Sequence, residues 1–464
     1  METPLVSVII LNYNGAKYLP VCLDALHHQT YAQDRFEVIV ADNGSSDDSL
    51  SLLKEKYPWV KIIENGRNLG FSRGNNAAIW ATNSDFVVLL NNDTAPSDDW
   101  LINLVQTALD HPEAGMVTSH LQMFYDEIEL ELTTETFTPQ NDPRQLGVQF
   151  FDVNSGLPHG VIQYLDGFYG WETHPACGRF RWMGKQARLG LSVPPGNEAW
   201  EVQLDLSAGR DTGSSIHIEI RLQGNLIADW QVQGKNIETY HLTLPATARQ
   251  YAHVLEQNAG SIVFRSGAGR DRGTYVKNNE LFFEVDSGQY GAVEEVFAGC
   301  GAALLLRRAM LAEVGSLDDD FFMYYEDTDL SWRARLYGWK VLYASPAKVR
   351  HIHCGTTKEW SPNFIYLTER NRLAMVFKNG TIVHAARVWG GYGLKVACEG
   401  FQVLKKLLTF QPSWRAYARQ LCTHLRVILS LLCWLPSLLK KRHKIMRCKR
   451  ISPNQLQTWF AEGD

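Results

Sequence analysis

The strongest constraint on this chain is a rhythm. Between residues 5 and 121, short apolar runs alternate with amphipathic stretches, and each run stops abruptly at a cluster of Asn, Asp and Gly. Leu5–Leu11, Phe36–Ala41, Val60–Ile63 and Phe86–Leu90 read as buried strands, because short apolar runs bounded by turn residues suit a parallel sheet. Between them, Tyr18–His28 places Leu19, Cys22, Leu23 and Leu26 on one helical face. Asp47–Lys56 reads as a helix that Ser46 or Asp47 can cap, Asn75–Thr82 anchors a third, and Asp98–Asp110 is a fourth. Gly115–Ser119 is short and strand-like. A βαβα order predicts a mostly parallel sheet with helices on both faces.

That order gives the polar clusters a meaning. They are Asn12-Tyr13-Asn14-Gly15, Asp42-Asn43-Gly44-Ser45, Asn65-Gly66-Arg67-Asn68 and Asn91-Asn92-Asp93. Each alone reads as an Asx-rich turn. With parallel strands all four fall at one edge of the sheet, where ligands of open α/β sheets bind. The sharpest is LLNNDTAP, residues 89–96. It either caps the helix that starts near Ser97 or presents the Asp93 carboxylate to a hard cation such as Mg²⁺ or Mn²⁺.

From about Phe124 to Glu295 helix signals vanish and period-two patterns replace them. Ser215–Leu222 alternates Ile216, Ile218, Ile220 and Leu222 with His217, Glu219 and Arg221. Trp200–Leu206, Leu226–Val232, Glu238–Leu244, Ser261–Arg265 and Leu281–Val285 also read as strands, which predicts an antiparallel sandwich of jelly-roll type inserted into the α/β domain. Phe168-Tyr169-Gly170-Trp171 and Phe180-Arg181-Trp182 either stack on sugars or fill that insertion's core. The α/β pattern resumes with a strand at Gly301–Leu306, a short helix at Arg308–Val314, a helix beginning near Asp327, a strand at Lys340–Tyr343, a polar loop from Arg350 to Gly355 and a helix over Phe364–Phe377. Asp329 and Arg333 are one helical turn apart and predict an ion pair.

The net charge of −5 suggests no nucleic-acid partner, but it hides an asymmetry. From Lys395 to Arg450 there are 13 Lys or Arg and one acid, Glu399. VILSLLCWL, residues 427–435, precedes most of those bases; it reads as too short to span a bilayer but suited to an anionic lipid surface. The alternative is a helical hairpin packed on the protein or on a second copy. The 8 Cys are scattered without a CxxC pair, so neither a thiolate zinc site nor a disulfide framework is expected. The N-terminus reads as lacking a signal peptide, and no run reads as a membrane-spanning helix.

VSVIILNYNG, ADNGSSDDS, NLGFSRGNNAAI, LLNNDT, FAGCGAALLLRR, FFMYYEDTDLSWRARLYGW and RNRLAMVFKNG, in that order, resemble a family 2 glycosyltransferase of GT-A fold. The arrangement is most similar to bacterial rhamnosyltransferase-like enzymes of surface polysaccharide assembly. The resemblance covers about residues 1–123 and 296–380. It implies a nucleotide-sugar half at 1–123, an inserted β-sandwich at 124–295 that looks like a carbohydrate-binding domain, an acceptor half at 296–380 and a basic helical segment at 381–464. The family's DxD motif is here Asn91-Asn92-Asp93, which leaves one carboxylate in it.

The resemblance also implies a chemistry: inverting transfer of a sugar, rhamnose being one candidate, from a nucleoside diphosphate to a glycan or lipid-linked hydroxyl. Asp93 is then the first ligand of Mg²⁺ or Mn²⁺, His351 the second and His353 its fallback. Asp327 is the general base and Glu326 the acceptor-binding carboxylate beside it. Tyr13 stacks on the base, Asp42 accepts from base or ribose, and Asn68, Gly70 and Arg73 line the diphosphate, with Asn12, Asn14, Asn43, Phe71 and Asn92 completing the donor side. The expected location is cytoplasmic, peripheral on the inner face of the cell membrane, with a homodimer as the other use of the C-terminal segment. Two rivals remain at this stage: a carbohydrate-binding or scaffold protein with a degenerate transferase domain, and a nucleotidyltransferase.

Overall fold

The computed structural model describes residues 3–174, 178–210, 214–352, 361–411 and 413–462. They divide into two compact units, one of 1–122, 257–272 and 288–464 and one of 123–256 and 273–287.

The first unit opens as the rhythm requires: β1 (Val6–Asn12), α1 (Leu19–His27), β2 (Phe36–Asp42), α2 (Ser49–Lys56), β3 (Lys61–Glu64), α3 (Gly70–Ile79), β4 (Phe86–Asn91), β5 (Thr94–Pro96), α4 (Trp100–Asp110) and β6 (Ala114–Met123). Strands β3, β2, β1 and β4 run parallel in that spatial order. The strand Ala303–Arg307 then lies antiparallel between β4 and β6, followed by Lys340–His351. The sheet is covered on both faces. Val8 and Ile10 pack with α1 and α4, and Ile9 packs with Ile79 of α3 and Leu330 of a later helix. Alternate residues of one strand therefore enter opposite cores, which is why the run is apolar throughout.

Several elements are longer than their local patterns. Helix α3 starts at Gly70, five residues before Asn75, so Gly70, Phe71 and Arg73 occupy its first turn. The strand Lys340–His351 continues through Arg350 and His351, which pair with Ala95 and Thr94 of β5 instead of forming a polar loop. Residues 257–272 and 288–295, grouped with the β insertion by sequence, lie in the first unit, and Glu294–Glu295 pairs with Leu342 and Tyr343.

Four further helices complete this unit: α5 (Arg308–Val314), α6 (Glu326–Leu336), α7 (Pro362–Asn379) and α8 (Ile382–Leu408), before the long α9 (Trp414–Cys448). Helix α9 is long and apolar enough to cross a membrane by length and composition, contrary to the shorter run read from sequence. One of its faces is nonetheless committed to the protein, since Val427, Leu431, Leu438 and Ile445 are buried in the core that contains α6 and α7. Its basic end is also committed: Lys441 pairs with Asp318 and Asp320, Arg442 donates to the carbonyls of Phe377 and Gly380, and Arg450 donates to that of Tyr337.

The second unit is built on a nine-stranded antiparallel sheet. Its main path runs from Asn225–Gln233 through Ser215–Leu222, Glu127–Thr134, Gly178–Ser192, Gln149–Asn154 and Trp200–Ser207 to Glu238–Leu244. The two end strands meet, with the Trp230 and Tyr240 rings 5.1 Å apart, so the sheet rolls around one core. Ile216, Ile218 and Ile220 point into that core, while His217, Glu219 and Arg221 do not, as their alternation requires. Phe180 and Trp182 are buried beside Leu146, and Tyr164, Phe168, Tyr169 and Trp171 are half-buried.

A buried ion cluster ties the helices of the first unit. Lys378 of α7 is 1 % exposed and pairs with Asp318 and with Asp329 of α6, the latter at 2.9 Å. Asp329 also accepts from Arg333 at 2.8 Å, the pair one turn apart that sequence predicts, and from Asn379 at 2.9 Å. Burial alone would raise the Asp318 carboxyl, but the Lys378 and Lys441 ammoniums hold it well below its ordinary value. Removing one partner of such a group leaves an uncompensated buried charge. Lys378→Met should therefore destabilise the protein by about 3–5 kcal/mol, read from urea unfolding at pH 7. Because the folded-state pKa of Asp318 is depressed, the wild-type advantage over Lys378→Met should be fully present above the ordinary carboxylate range and shrink as pH falls through the folded value.

Candidate active site

The parallel register brings the polar clusters together. Asn12 stands opposite Asp42, Asp42 opposite Glu64, and Leu11 opposite Asn91, so the ends of β1, β2 and β4 form one edge. A chain of side-chain bonds runs along it. Asn92 Nδ2 donates to Asn12 Oδ1 at 2.8 Å; Asn12 Nδ2 donates to Asp42 Oδ2 at 3.0 Å and to Ser45 Oγ at 3.1 Å. Asp42 also accepts from the Gly44 and Ser45 backbone N–H groups at 3.0 and 2.8 Å and from Ser45 Oγ at 2.6 Å. Asn14, with φ of 53°, accepts from Ser46 N at 2.7 Å. Gly15 is required here, because a Cβ would lie 2.1 Å from Asn92 Nδ2 and 2.3 Å from Asn12 Oδ1.

Asn12, Asp42, Asn43 and Asn92 are thus buried and already bonded. A carboxylate has about four lone-pair sites, and Asp42 has four donors on it, so in this conformation it shapes the loop. What remains open at the edge is Tyr13, 45 % exposed, with Asn68 beyond it. Asn43 Nδ2 donates to the Gly70 carbonyl at 3.1 Å, and Asn68 Oδ1 accepts from Gly70 N at 2.9 Å, so these residues set the start of α3. Gly70 has φ of +79°, and a Cβ there would sit 2.4 Å from the Phe322 carbonyl oxygen. Phe71 N donates to that same oxygen at 2.6 Å. Arg73 is two residues further along α3, roughly on its opposite side. Its Nε donates to the Asp319 carbonyl at 2.9 Å, in a cavity of about 640 Å³ that Trp80, Lys441 and Lys444 also line.

Asp93 and His351 meet. His351 Nε2 lies 3.3 Å from Asp93 Oδ1, and that buried oxygen has no hydrogen-bond partner. His351 Nδ1 is 2.9 Å from Gln257 Oε1, so with the amide presenting its oxygen the ring proton sits on Nδ1 and the Nε2 lone pair faces Asp93 and Asn91 Nδ2, the latter at 3.3 Å. An orphaned carboxylate oxygen beside an imidazole lone pair fits a divalent cation, and a ligating His held through its other nitrogen is the usual arrangement. Asp93 and His351 would hold the ion, and Gln257 would orient the histidine. His353 lies outside the described residues. Gln257 is invisible to local sequence reading, because its segment was grouped with the insertion and reaches this site only through the strand it forms beside β6.

Asp327 stands in the first turn of α6. Its Oδ2 accepts from Gly301 N at 2.8 Å and its Oδ1 from Thr328 N at 2.6 Å. A Cβ on Gly301 would be 3.4 Å from both Asp327 Oδ2 and the Phe71 ring tip, so the strand-end face and the carboxylate meet at this glycine. Burial raises the Asp327 carboxyl above its ordinary value, although three hydrogen bonds favour its charged form. Glu326 is more deeply buried, its Oε2 has no partner, and burial followed by repulsion from Asp327 pushes it well above the usual range. The loop ahead of them is strained. Tyr324 and Tyr325 have φ of 73° and 68°, a conformation costing of order 1–3 kcal/mol each for bulky residues. Asn371 of α7 holds it, donating to the Met323 and Tyr324 carbonyls, both at 2.8 Å.

With that geometry in place, the chain's relatives can be stated. Residues 7–178 match the family described as Glycosyl transferase family 2. The glycosyltransferase AglE of Haloferax volcanii is 33% identical over 107 residues, covering 22% of this chain and 35% of its own length. A Methanococcus voltae enzyme, described as dolichyl N-acetyl-alpha-D-glucosaminyl phosphate 3-beta-D-2,3-diacetamido-2,3-dideoxy-beta-D-glucuronosyltransferase, is 28% identical over 171 residues, covering 34% of this chain and 51% of that one. The match thus spans about a third to a half of these relatives. Among solved structures, a mannosyltransferase from Pyrobaculum calidifontis in complex with GDP-Man and Mn2+ aligns over 93% of this chain and 88% of that one, with 12% identity and a TM-score of 0.40, too slight a likeness to carry an argument. Residues 7–178, which hold β1 to β4 and the polar edge at their ends, thus match a family 2 glycosyltransferase domain.

If Asp93 and His351 form the cation site, Asp93→Ala should weaken Mn²⁺ binding at least ten-fold in the presence of a nucleoside diphosphate, as read by paramagnetic resonance of free Mn²⁺. Gln257→Leu should weaken it less, because the ligands remain and only the histidine's orientation is lost. Unchanged Mn²⁺ affinity in Asp93→Ala would remove the site.

Proposed function

We propose that the protein is an inverting glycosyltransferase that moves a sugar from a nucleoside diphosphate to a hydroxyl of a glycan or lipid-linked glycan, with Asp327 as general base. The observation that carries this reading is the Asp327 carboxyl, raised by burial and standing across Gly301 from Phe71 at the head of α3. In the step, the acceptor O–H gives its proton to Asp327 while its oxygen bonds to the anomeric carbon. The bond from that carbon to the diphosphate breaks, and the diphosphate leaves with the electron pair. A Mg²⁺ or Mn²⁺ held by Asp93 and His351 would supply Lewis-acid neutralisation of that leaving group. Tyr13, the exposed ring at the edge, serves the base of the donor. Rhamnose is the donor sugar that the similarity of motifs favours. The second unit, a rolled antiparallel sheet where a two-sheet sandwich was expected, binds carbohydrate, in keeping with its half-buried Tyr164, Tyr169 and Trp171. The C-terminal helices place the enzyme on the inner face of the cell membrane, where a lipid-linked acceptor resides.

A raised pKa gives this reading a pH signature. Asp327 works deprotonated, so kcat/KM should be lost as pH falls through its folded value, and that acid limb should lie above the ordinary value for an aspartate. Asp327→Asn should lower transfer by about 10²–10⁴-fold and leave donor affinity unchanged, because the loss is confined to the transition state. Glu326→Gln should act on acceptor KM more than on kcat. A screen of nucleoside diphosphate sugars by thermal shift, followed by product analysis, tests the class. Stabilisation by a donor and a new glycoside of inverted configuration are expected, whereas glycan binding without transfer or donor hydrolysis would favour a scaffold.

A further inference from the structure

Three of the bases of the C-terminal tail, Lys441, Arg442 and Arg450, are turned onto the protein and bond to groups of the first unit, while Lys440, Lys444 and Arg447 are exposed. The exposed apolar surface lies elsewhere, on the hairpin of α8 and α9. On α8 the small or apolar residues Gly390, Leu394, Ala397, Phe401, Leu404 and Leu408 recur at alternating spacings of four and three, which makes one continuous stripe. Of these Leu394 is 70% and Phe401 69% exposed, while Tyr392 and Val396 on the other side of the helix are buried. At the turn beyond α8, Phe410 is held at φ of 52° with 92% of its surface exposed. Lys406 fixes that turn by donating to Gln411 Oε1 at 3.1 Å. Helix α9 repeats the pattern: Leu425, Leu429, Leu432 and Leu439 are exposed on the side away from Val427, Leu431 and Leu438.

Such a face needs an occupant, and charge chooses between the two that fit. Lys405, Lys406, Arg415 and Arg419 flank the stripe and the tip, whereas Lys395 is paired with Glu369 at 3.6 Å. The only acid from Lys395 to Arg450, Glu399, is turned inward onto His424 at 2.6 Å and Gln420 at 3.0 Å. A second copy would bring the same uncompensated cations against these, whereas an anionic lipid surface offers apolar depth and counter-charge together. We propose that the α8–α9 hairpin is a membrane-inserting element. Phe401, Leu404, Leu408 and Phe410 enter the headgroup boundary of an anionic bilayer, and Lys405, Lys406 and Arg415 meet its phosphates. This deepens the membrane reading above and rests on it, but it moves the contact from the basic tail to the hairpin.

Flotation of the full-length protein with phosphatidylcholine vesicles, with and without one-quarter phosphatidylglycerol, tests it. Wild type should float with the anionic vesicles. Phe401→Asp/Phe410→Asp should lose at least ten-fold in partitioning, with its thermal unfolding unchanged because both side chains are in solvent. Lys405→Glu/Lys406→Glu should lose the salt-sensitive part of the binding. Lys440→Glu/Arg447→Glu, on the tail, should bind as wild type. If the tail variant loses binding and the Phe401/Phe410 variant does not, the hairpin proposal fails while the membrane reading stands. If wild type does not float, both fail, and the donor-induced thermal shift still reports on the transferase reading. If wild type is a dimer by light scattering and Phe401→Asp/Phe410→Asp is a monomer with undiminished flotation, the face belongs to a second copy and the proposal is overturned.

Discussion

The placement of α6, which carries Asp327, depends on the Lys378 ammonium. It is buried between Asp318 and Asp329 and lies 4.7 Å from the centre of the Phe321 ring. Those contacts come from the loop before α6, from α6 itself and from α7. Lys441 extends the same cluster to α9, and Ser437 of α9 donates to Asp320 at 2.9 Å. An ion cluster of this kind is not a simple gain in stability, because desolvating the charges costs nearly what their attraction returns. Its value lies in direction. Every carboxylate oxygen of Asp318 and Asp329 has a donor in this arrangement of the helices, which also holds the first turn of α6, and so Asp327, at Gly301.

The α/β half was legible because its signal is carried by period and punctuation. Ile9 and Val8 face different cores, yet both must be apolar, so the strand is visible without knowing either partner. The edge followed from parallel register alone, which is why Asn12, Asp42 and Asn91 were grouped correctly by position. Their division of labour was not legible. Asn12 and Asp42 look like ligands of a donor, but the structure uses their hydrogen-bonding capacity on one another and on Ser45. Nothing in a short polar cluster says which amide faces inward. Helix α3 was read late because Gly70 and Gly74 are poor helix formers; Gly70 is there for its close approach to Phe322. Gln257 and Asn371 were missed because their importance comes from partners 94 and 47–48 residues away in sequence.

The C-terminus shows a different limit of local reading. A run of bases beside VILSLLCWL resembles a surface helix, and composition cannot distinguish a lysine that meets lipid from one that meets Asp318. The structure separates them through the two faces of α9. The stripe through Val427, Leu431 and Leu438 is consumed by the core, and the stripe through Leu425, Leu429 and Leu432 is not. The apolar run reads from sequence as too short to span; in the structure it belongs to a longer helix that has already buried one side in protein.

The strained loop before α6 links these parts to chemistry. Consecutive left-handed tyrosines would relax if the chain were free, and relaxation would rotate the start of α6 and move Asp327 from the Gly301 amide. Three constraints oppose that: the two Asn371 bonds to the loop carbonyls, the Phe71 N–H on the Phe322 carbonyl, and the Lys378 cluster behind it. The second of these comes from the head of α3, whose entry is set by Asn43 and Asn68 at the donor edge. The loops at the strand edge and the carboxylate proposed as base are therefore linked through the Phe322 peptide group, and Arg73 and Asn76 of α3 add bonds to Asp319 and Leu317. Anything that shifts the start of α3 shifts the oxygen to which the strained loop is tied.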